Sequence, residues 1–183
     1  MKTLSKLSKT FLYISALSGA IWVGAYVTRL LMVYNIYEFD GTNLFLRPFY
    51  NNNLHHVLNS FLPLFSTTLV LYPIFIITLI LFLISSRLNL RRNGWLFMIT
   101  VLVFITMPFE IYLMTFDYRI FNTIYYNSGF VTNTAFDLIT KRIQILNTFP
   151  IIEVLCYCSI LFLAIFRPFT KGLKITEQAI HEN

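Results

Sequence analysis

The chain has 183 residues, of which 57% are hydrophobic and only 12% charged, with a mean hydropathy of +0.68. A soluble domain carries about 25% charged residues, so this composition excludes an ordinary soluble globule and points to one compact integral membrane unit. The net charge of +6 implies no nucleic-acid partner, because the basic residues flank apolar runs and form no stripe.

Four apolar spans are predicted, each long enough to cross a hydrocarbon core of about 30 Å at about 1.5 Å per residue. The first covers residues 11–37 and holds one charge, Arg29. Lys2, Lys6 and Lys9 precede it, which also resembles a signal peptide with VGA at 23–25 as a cleavage site. The apolar run continues to Tyr37, so an uncleaved span is expected. Ala16, Ala20 and Gly24 recur every fourth residue. This small-residue spacing predicts close packing on a neighbouring helix, in the chain or in a homo- or hetero-oligomer.

The second span covers 61–84, with NNNLHHVLNS at 51–60 as a short helical lead-in and Pro73 as a bend. His55 and His56 are adjacent, so on a helix they point about 100° apart. No H-x-x-x-H, H-x-x-E-H or E-x-x-H accompanies them, and no metal site is expected. The third span covers 95–116, with Pro108 as a bend and Glu110 as its one charge. Residues 38–60 and 117–148 are read as the two long outer loops.

Within the second of these loops, Phe136, Ile139, Ile143 and Leu146 share one helical face. The segment extends the fourth helix outward with Pro150 as a kink, or else lies flat on the membrane surface as an amphipathic helix. The fourth span covers 149–166 and contains Glu153. Cys156 and Cys158 form a C-x-C whose side chains point roughly 200° apart on a helix, so they are read as apolar fillers. The chain has no C-x-x-C, which argues against a thiol oxidoreductase.

Orientation follows from Lys and Arg. Lys2, Lys6, Lys9, Arg87, Arg91, Arg92, Arg167, Lys171 and Lys174 lie on one side, and only Arg47, Arg119, Lys141 and Arg142 on the other. The expected fold is therefore an all-α membrane protein, a single four-helix transmembrane bundle with both termini cytoplasmic. A bacterial inner membrane is the expected location, with the long loops outside.

This topology places Arg29, Glu110 and Glu153 at one depth, in the outer third of the bilayer. An ionised residue at a helix centre costs about 2.5–3.5 kcal/mol, so grouping the three inside the bundle is favoured. An Arg29–Glu110–Glu153 cluster is expected, with Arg29 offering its planar fork to two carboxylates and one carboxylate holding a proton. Trp22 and Tyr26 share the face of Arg29, Thr106 and Asp117 that of Glu110, and Tyr157 and Arg142 that of Glu153. Together they outline an outward-facing, aromatic-rimmed pocket for a small hydrophobic ligand. The competing reading is structural: Arg29 snorkels to the interface, Glu153 caps a helix, and the charges only fix helix register.

The order of four spans, with TFDYRIFNTIYY after the third and ITKRIQILNTFPIIEVL leading into the fourth, resembles the anthrone-oxygenase-like four-helix membrane proteins. On that resemblance Asn122 matches an Asn-containing stretch after the third helix. Arg142 and Asn147 match an Arg- and Asn-bearing stretch opening the fourth. The family's fourth-helix opening commonly carries Trp and His, and neither occurs between 134 and 150 here. The resemblance implies binding or oxidation of a small aromatic or quinone-like molecule. In that chemistry Glu110 or Glu153 would shuttle a proton and Arg29 would stabilise a developing anion. No cofactor is called for by any motif. The alternative is a non-catalytic structural or accessory membrane subunit.

Overall fold

The computed structural model describes residues 5–39, 44–86, 88, 90, 93–126, 132–145 and 148–169. Among these, five helices follow in order: α1 (Lys6–Ile36), α2 (Leu54–Ser86), α3 (Gly94–Tyr126), α4 (Thr132–Ile145) and α5 (Phe149–Phe166). Between α1 and α2, β1 (Tyr37–Phe39) pairs antiparallel with β2 (Leu44–Leu46) in the register Tyr37↔Leu46, and a 3-10 turn follows at Pro48–Asn53. Four helices, α1, α2, α3 and α5, are long and apolar enough to cross a membrane. Their lipid-type surface is plain in the exposed side chains of Leu12, Ile21, Val70, Ile77, Phe104 and Leu161. The chain is thus of the integral membrane class.

Local chemistry sets the ends. Ser5 caps α1, its side chain accepting from the Ser8 backbone N–H at 3.1 Å. The α2 helix grows out of the 3-10 turn, and α2 and α3 continue through Pro63, Pro73 and Pro108 without a break in the helix. The α5 helix stops where Arg167 adopts the left-handed φ of 46° and Pro168 follows.

The helices bury a narrow stripe each. On α3 the buried residues are Leu96, Ile99, Val103, Thr106, Glu110, Leu113, Phe116, Asp117 and Ile120. Most are three or four residues apart, the repeat that suits a shallow crossing of about 20° between neighbours. On α1 the stripe is Ser15, Ser18, Gly19, Trp22, Tyr26 and Arg29. Gly19 lies tight against α2, where a Cβ would stand 3.0 Å from Cδ2 of Phe75. The α1 face is therefore the one next to the expected small-residue face. Ala16, Ala20 and Gly24 are exposed, and nothing lies within 4 Å of a Cβ built on Gly24. The expected intrachain packing through those three residues does not occur, because the larger Trp22, Tyr26 and Arg29 take the inward face instead.

Antiparallel α1 and α2 form the most extensive helix pair. At one end, called proximal, Ser8 and Ser85 hydroxyls bond at 2.9 Å, and the Arg167 guanidinium lies 5.4 Å from the Trp95 ring centroid. The other, distal end carries the β1–β2 hairpin and α4. Two apolar clusters fill the interior. The proximal one includes Phe75, Leu79, Phe82, Leu96, Ile99 and Val103. The distal one includes Ile36, Leu58, Phe61, Phe65, Ile120 and Ile139. The charged residues sit between them.

Two elements differ from the expected boundaries. The α3 helix runs on to Tyr126, so Asp117 is a helical residue on the Glu110 face and not a loop residue. The α4 helix is separate from α5, with Ala135, Ile139 and Arg142 buried against the rest of the protein. It is not a continuous extension of α5, and its inward face packs on the other helices. Leu146 lies outside the described residues.

Candidate functional site

Five helices converge on one buried polar layer. Asp117 of α3 is fully buried and accepts from two arginines. Arg29 Nη1 of α1 donates to Oδ2 at 2.8 Å, and Arg142 of α4 donates from Nη2 to the same oxygen at 3.2 Å. A second Arg142 contact runs from Nε to Oδ1 at 2.5 Å. Arg29 also reaches the Thr68 hydroxyl of α2 at 3.4 Å and packs over the Tyr26 and Phe65 rings, 4.9 and 5.5 Å from their centroids. Both arginines are almost wholly buried, at 2% and 6% exposure. Burial alone works against the charge of Arg142. The carboxylates of Asp117 and Glu110 outweigh it and hold the guanidinium pKa above its ordinary value.

Glu110 and Glu153 are fully buried next to this triad, on α3 and α5. Their carboxyl groups face each other across the helix interface and lie within electrostatic reach of Arg29. None of their four oxygens has a well-formed hydrogen bond. Around them stand Tyr26, Tyr72 and Tyr157, whose hydroxyls are buried and also lack a well-formed partner. Trp22 packs at their centre, its ring centroid 5.3, 4.9 and 4.7 Å from those of Tyr26, Tyr72 and Tyr157.

A cavity of about 250 Å³ adjoins the triad on its distal side. Arg29 and Arg142 form its polar wall, and Leu30, Val33, Phe65, Ile139 and Ile143 its apolar one. Exposed Tyr34 and Glu38 mark its open side. The Arg29 Nε and Nη2 atoms are buried without a hydrogen-bond partner, so donors remain for an acceptor atom entering the cavity.

The expected trio of charges is thus brought into one layer but bonded differently. The short partner of Arg29 is Asp117, and Glu110 and Glu153 face each other. Trp22, Tyr26 and Tyr157 surround the two glutamates and do not line the cavity, whereas Arg142 does. Asn122 is half-buried on α3 and takes no part in the cavity lining. Asn147 lies outside the described residues. Thr68 and Tyr72 of α2 carry no expectation, since a lone Thr and a Tyr before Pro73 give no signal in an apolar span. Asp117 as the shared anion was legible only in its spacing, seven residues after Glu110 and so on the same helical face. No group of three or more His, Cys, Asp or Glu that could hold a metal ion occurs among the described residues. His56 is exposed, and Cys156 and Cys158 are free thiols.

Fold and site together define a membrane protein with a charged layer sealed among its helices and a small cavity against it. Comparison with protein-family models, curated proteins and solved structures finds no match for the chain.

Proposed function

We propose that the chain is a four-helix bundle of a bacterial inner membrane, with both termini cytoplasmic, that binds a small aromatic or quinone-like molecule in the cavity beside Arg29 and Arg142. The observation that carries this reading is a buried arginine with two unpartnered donor atoms that lines, with Arg142, a cavity whose remaining inner wall is mostly apolar. A ring with a carbonyl or anionic oxygen matches such a wall, its oxygen on Arg29 and its body against Val33 and Ile139. The volume of about 250 Å³ is below the 300–1,000 Å³ or so of drug-sized sites, which suits a single substituted ring. Glu110 and Glu153 lie behind Arg29, off the cavity wall, so binding is favoured here over oxidation catalysed by a glutamate in contact with the ligand.

The orientation rests on the nine basic residues that the sequence places near the two chain ends and between the second and third spans. It turns the cavity toward the outer face, with the proximal apolar cluster closing the cytoplasmic side. A structural or accessory subunit is the second reading. It is favoured by the Arg29–Asp117–Arg142 triad, which ties α1, α3 and α4 together and uses three charges to do so.

A titration separates the two. A decyl-tailed benzoquinone is added to the protein in lipid nanodiscs, and its quenching of tryptophan fluorescence is followed. Val33→Phe fills the cavity without touching a charge. Saturable quenching in the parent that weakens at least about tenfold, or about 1.4 kcal/mol, in Val33→Phe supports the site. Equal, non-saturating quenching in both reflects partition into lipid and leaves the structural reading.

A further inference from the structure

Glu110 and Glu153 are not explained by the ion pairs around them. The triad already balances two of its three charges, leaving one positive charge for two further carboxyls. The groups facing the two glutamates are Tyr26 and Arg29 on α1, Tyr72 on α2, Asp117 on α3, Arg142 on α4 and Tyr157 on α5. With both arginines charged and all three acids ionised, the sealed layer would carry one net negative charge in a low-dielectric interior. Uncompensated buried charge is the costly arrangement, and two facing carboxylates repel each other besides. Glu38, Asp137 and Lys141 are exposed and screened by solvent, so they do not supply the balance.

Among the described residues no group of three or more acids, histidines or cysteines stands ready to hold a metal ion here. An organic cation does not fit either, because the cavity ends at Arg29 and does not reach the glutamates. The one cation that needs no volume is a proton.

We propose that Glu110 and Glu153 form a membrane-buried acid pair that holds one shared proton, placed between the outer cavity and the closed proximal core. Four carboxyl oxygens and three tyrosine hydroxyls, all buried, offer the acceptors and donors to hold it. The proton comes from water on the distal side and joins one carboxylate; no other bond changes. An intramembrane ionisable pair of this kind is the arrangement from which proton-linked binding is built. Charge balance makes a sharp statement about variants. Removing either glutamate leaves two arginines and two acids, so the survivor is ionised. The pair is independent of what the cavity binds, and its test needs no ligand.

The test is infrared spectroscopy of the full chain in nanodiscs at neutral pH, reading the carbonyl stretch of protonated carboxyl groups and its shift in heavy water. One buried protonated carboxyl is expected in the parent. It is expected to vanish in Glu110→Gln and equally in Glu153→Gln, with the helical content kept. If a single variant misfolds, the double variant Glu110→Gln/Glu153→Gln, which removes charge and proton together, serves as the reference spectrum for the parent band. A parent without the band has both glutamates ionised and overturns the proposal. A band that persists at full strength in either single variant shows that the proton is not shared, and also overturns it.

Discussion

Replacing Asp117 by Asn strips the anion from two buried guanidinium groups while keeping the side-chain shape. At 2.8 Å and 2.5 Å, each pair has a gross attraction of about 6 kcal/mol for an effective dielectric constant of about 20. Much of that is offset by the desolvation of three ions, several kcal/mol each. What remains when Asp117 is lost is about 3–5 kcal/mol, because the proton shared by Glu110 and Glu153 can leave and restore net charge, but no carboxylate then pairs directly with the two guanidinium groups. For a chain of this length that is a fall in melting temperature of roughly 6–20 °C. The assay is thermal unfolding in detergent, followed by the intrinsic fluorescence of Trp22 and Trp95. Lys141→Gln, exposed on the same α4 helix, serves as the control and should change stability by less than about 0.5 kcal/mol. A second comparison sharpens the result. The triple variant Arg29→Met/Asp117→Leu/Arg142→Met replaces the whole triad by apolar residues and should recover most of the lost stability. If Asp117→Asn melts within the error of the parent, the arginines do not depend on Asp117 and the triad is wrong.

Further substitutions address other parts of the fold. Gly19→Leu forces side-chain volume into the Phe75 ring and should cost about 1–3 kcal/mol by the same melting assay. Gly24→Ala meets open space and should be neutral or stabilising by up to about 1 kcal/mol. Ser85→Ala removes the hydroxyl pair with Ser8 and should cost about 0.6 kcal/mol, the ordinary value of a polar contact between membrane helices. Burial pushes the Tyr37 hydroxyl up to about 12, while its 3.1 Å hydrogen bond with Thr140 acts in the opposite direction. Its contribution to stability is then fully present below the free tyrosine value of about 10 and is lost as pH rises toward 12. Melting curves across that alkaline range should fall more steeply in the parent than in Tyr37→Phe, and parallel curves would show that Tyr37 is not buried.

The four apolar helices were legible because hydropathy over about 20 residues is a strong, local signal that needs no knowledge of neighbours. The depth of Arg29, Glu110 and Glu153 was legible for the same reason. Their partners were not. TFDYRIFNTIYY mixes polar and aromatic residues and reads as a loop, yet Phe116, Asp117 and Ile120 continue the inward stripe of α3. Ending the span at 116 set Asp117 on the Glu110 face only as part of the expected pocket's outline, and left Arg29 to be paired with the glutamates. On α1 the small residues Ala16, Ala20 and Gly24 gave a motif, but packing followed Ser15, Gly19, Trp22 and Tyr26. Close approach needed one glycine, Gly19, and large aromatic rings filled the rest.

The most direct measurement is labelling of a single cysteine in the cavity wall from one side of the membrane. In a Cys156→Ala/Cys158→Ala background, Ile143→Cys is treated with a membrane-impermeant maleimide in intact cells and in inverted vesicles. The expected result is labelling from outside only, slowed by the decyl-tailed benzoquinone. Labelling from the cytoplasmic side, or labelling from outside that the quinone does not slow, would contradict an outward-facing binding cavity at Arg29 and Arg142.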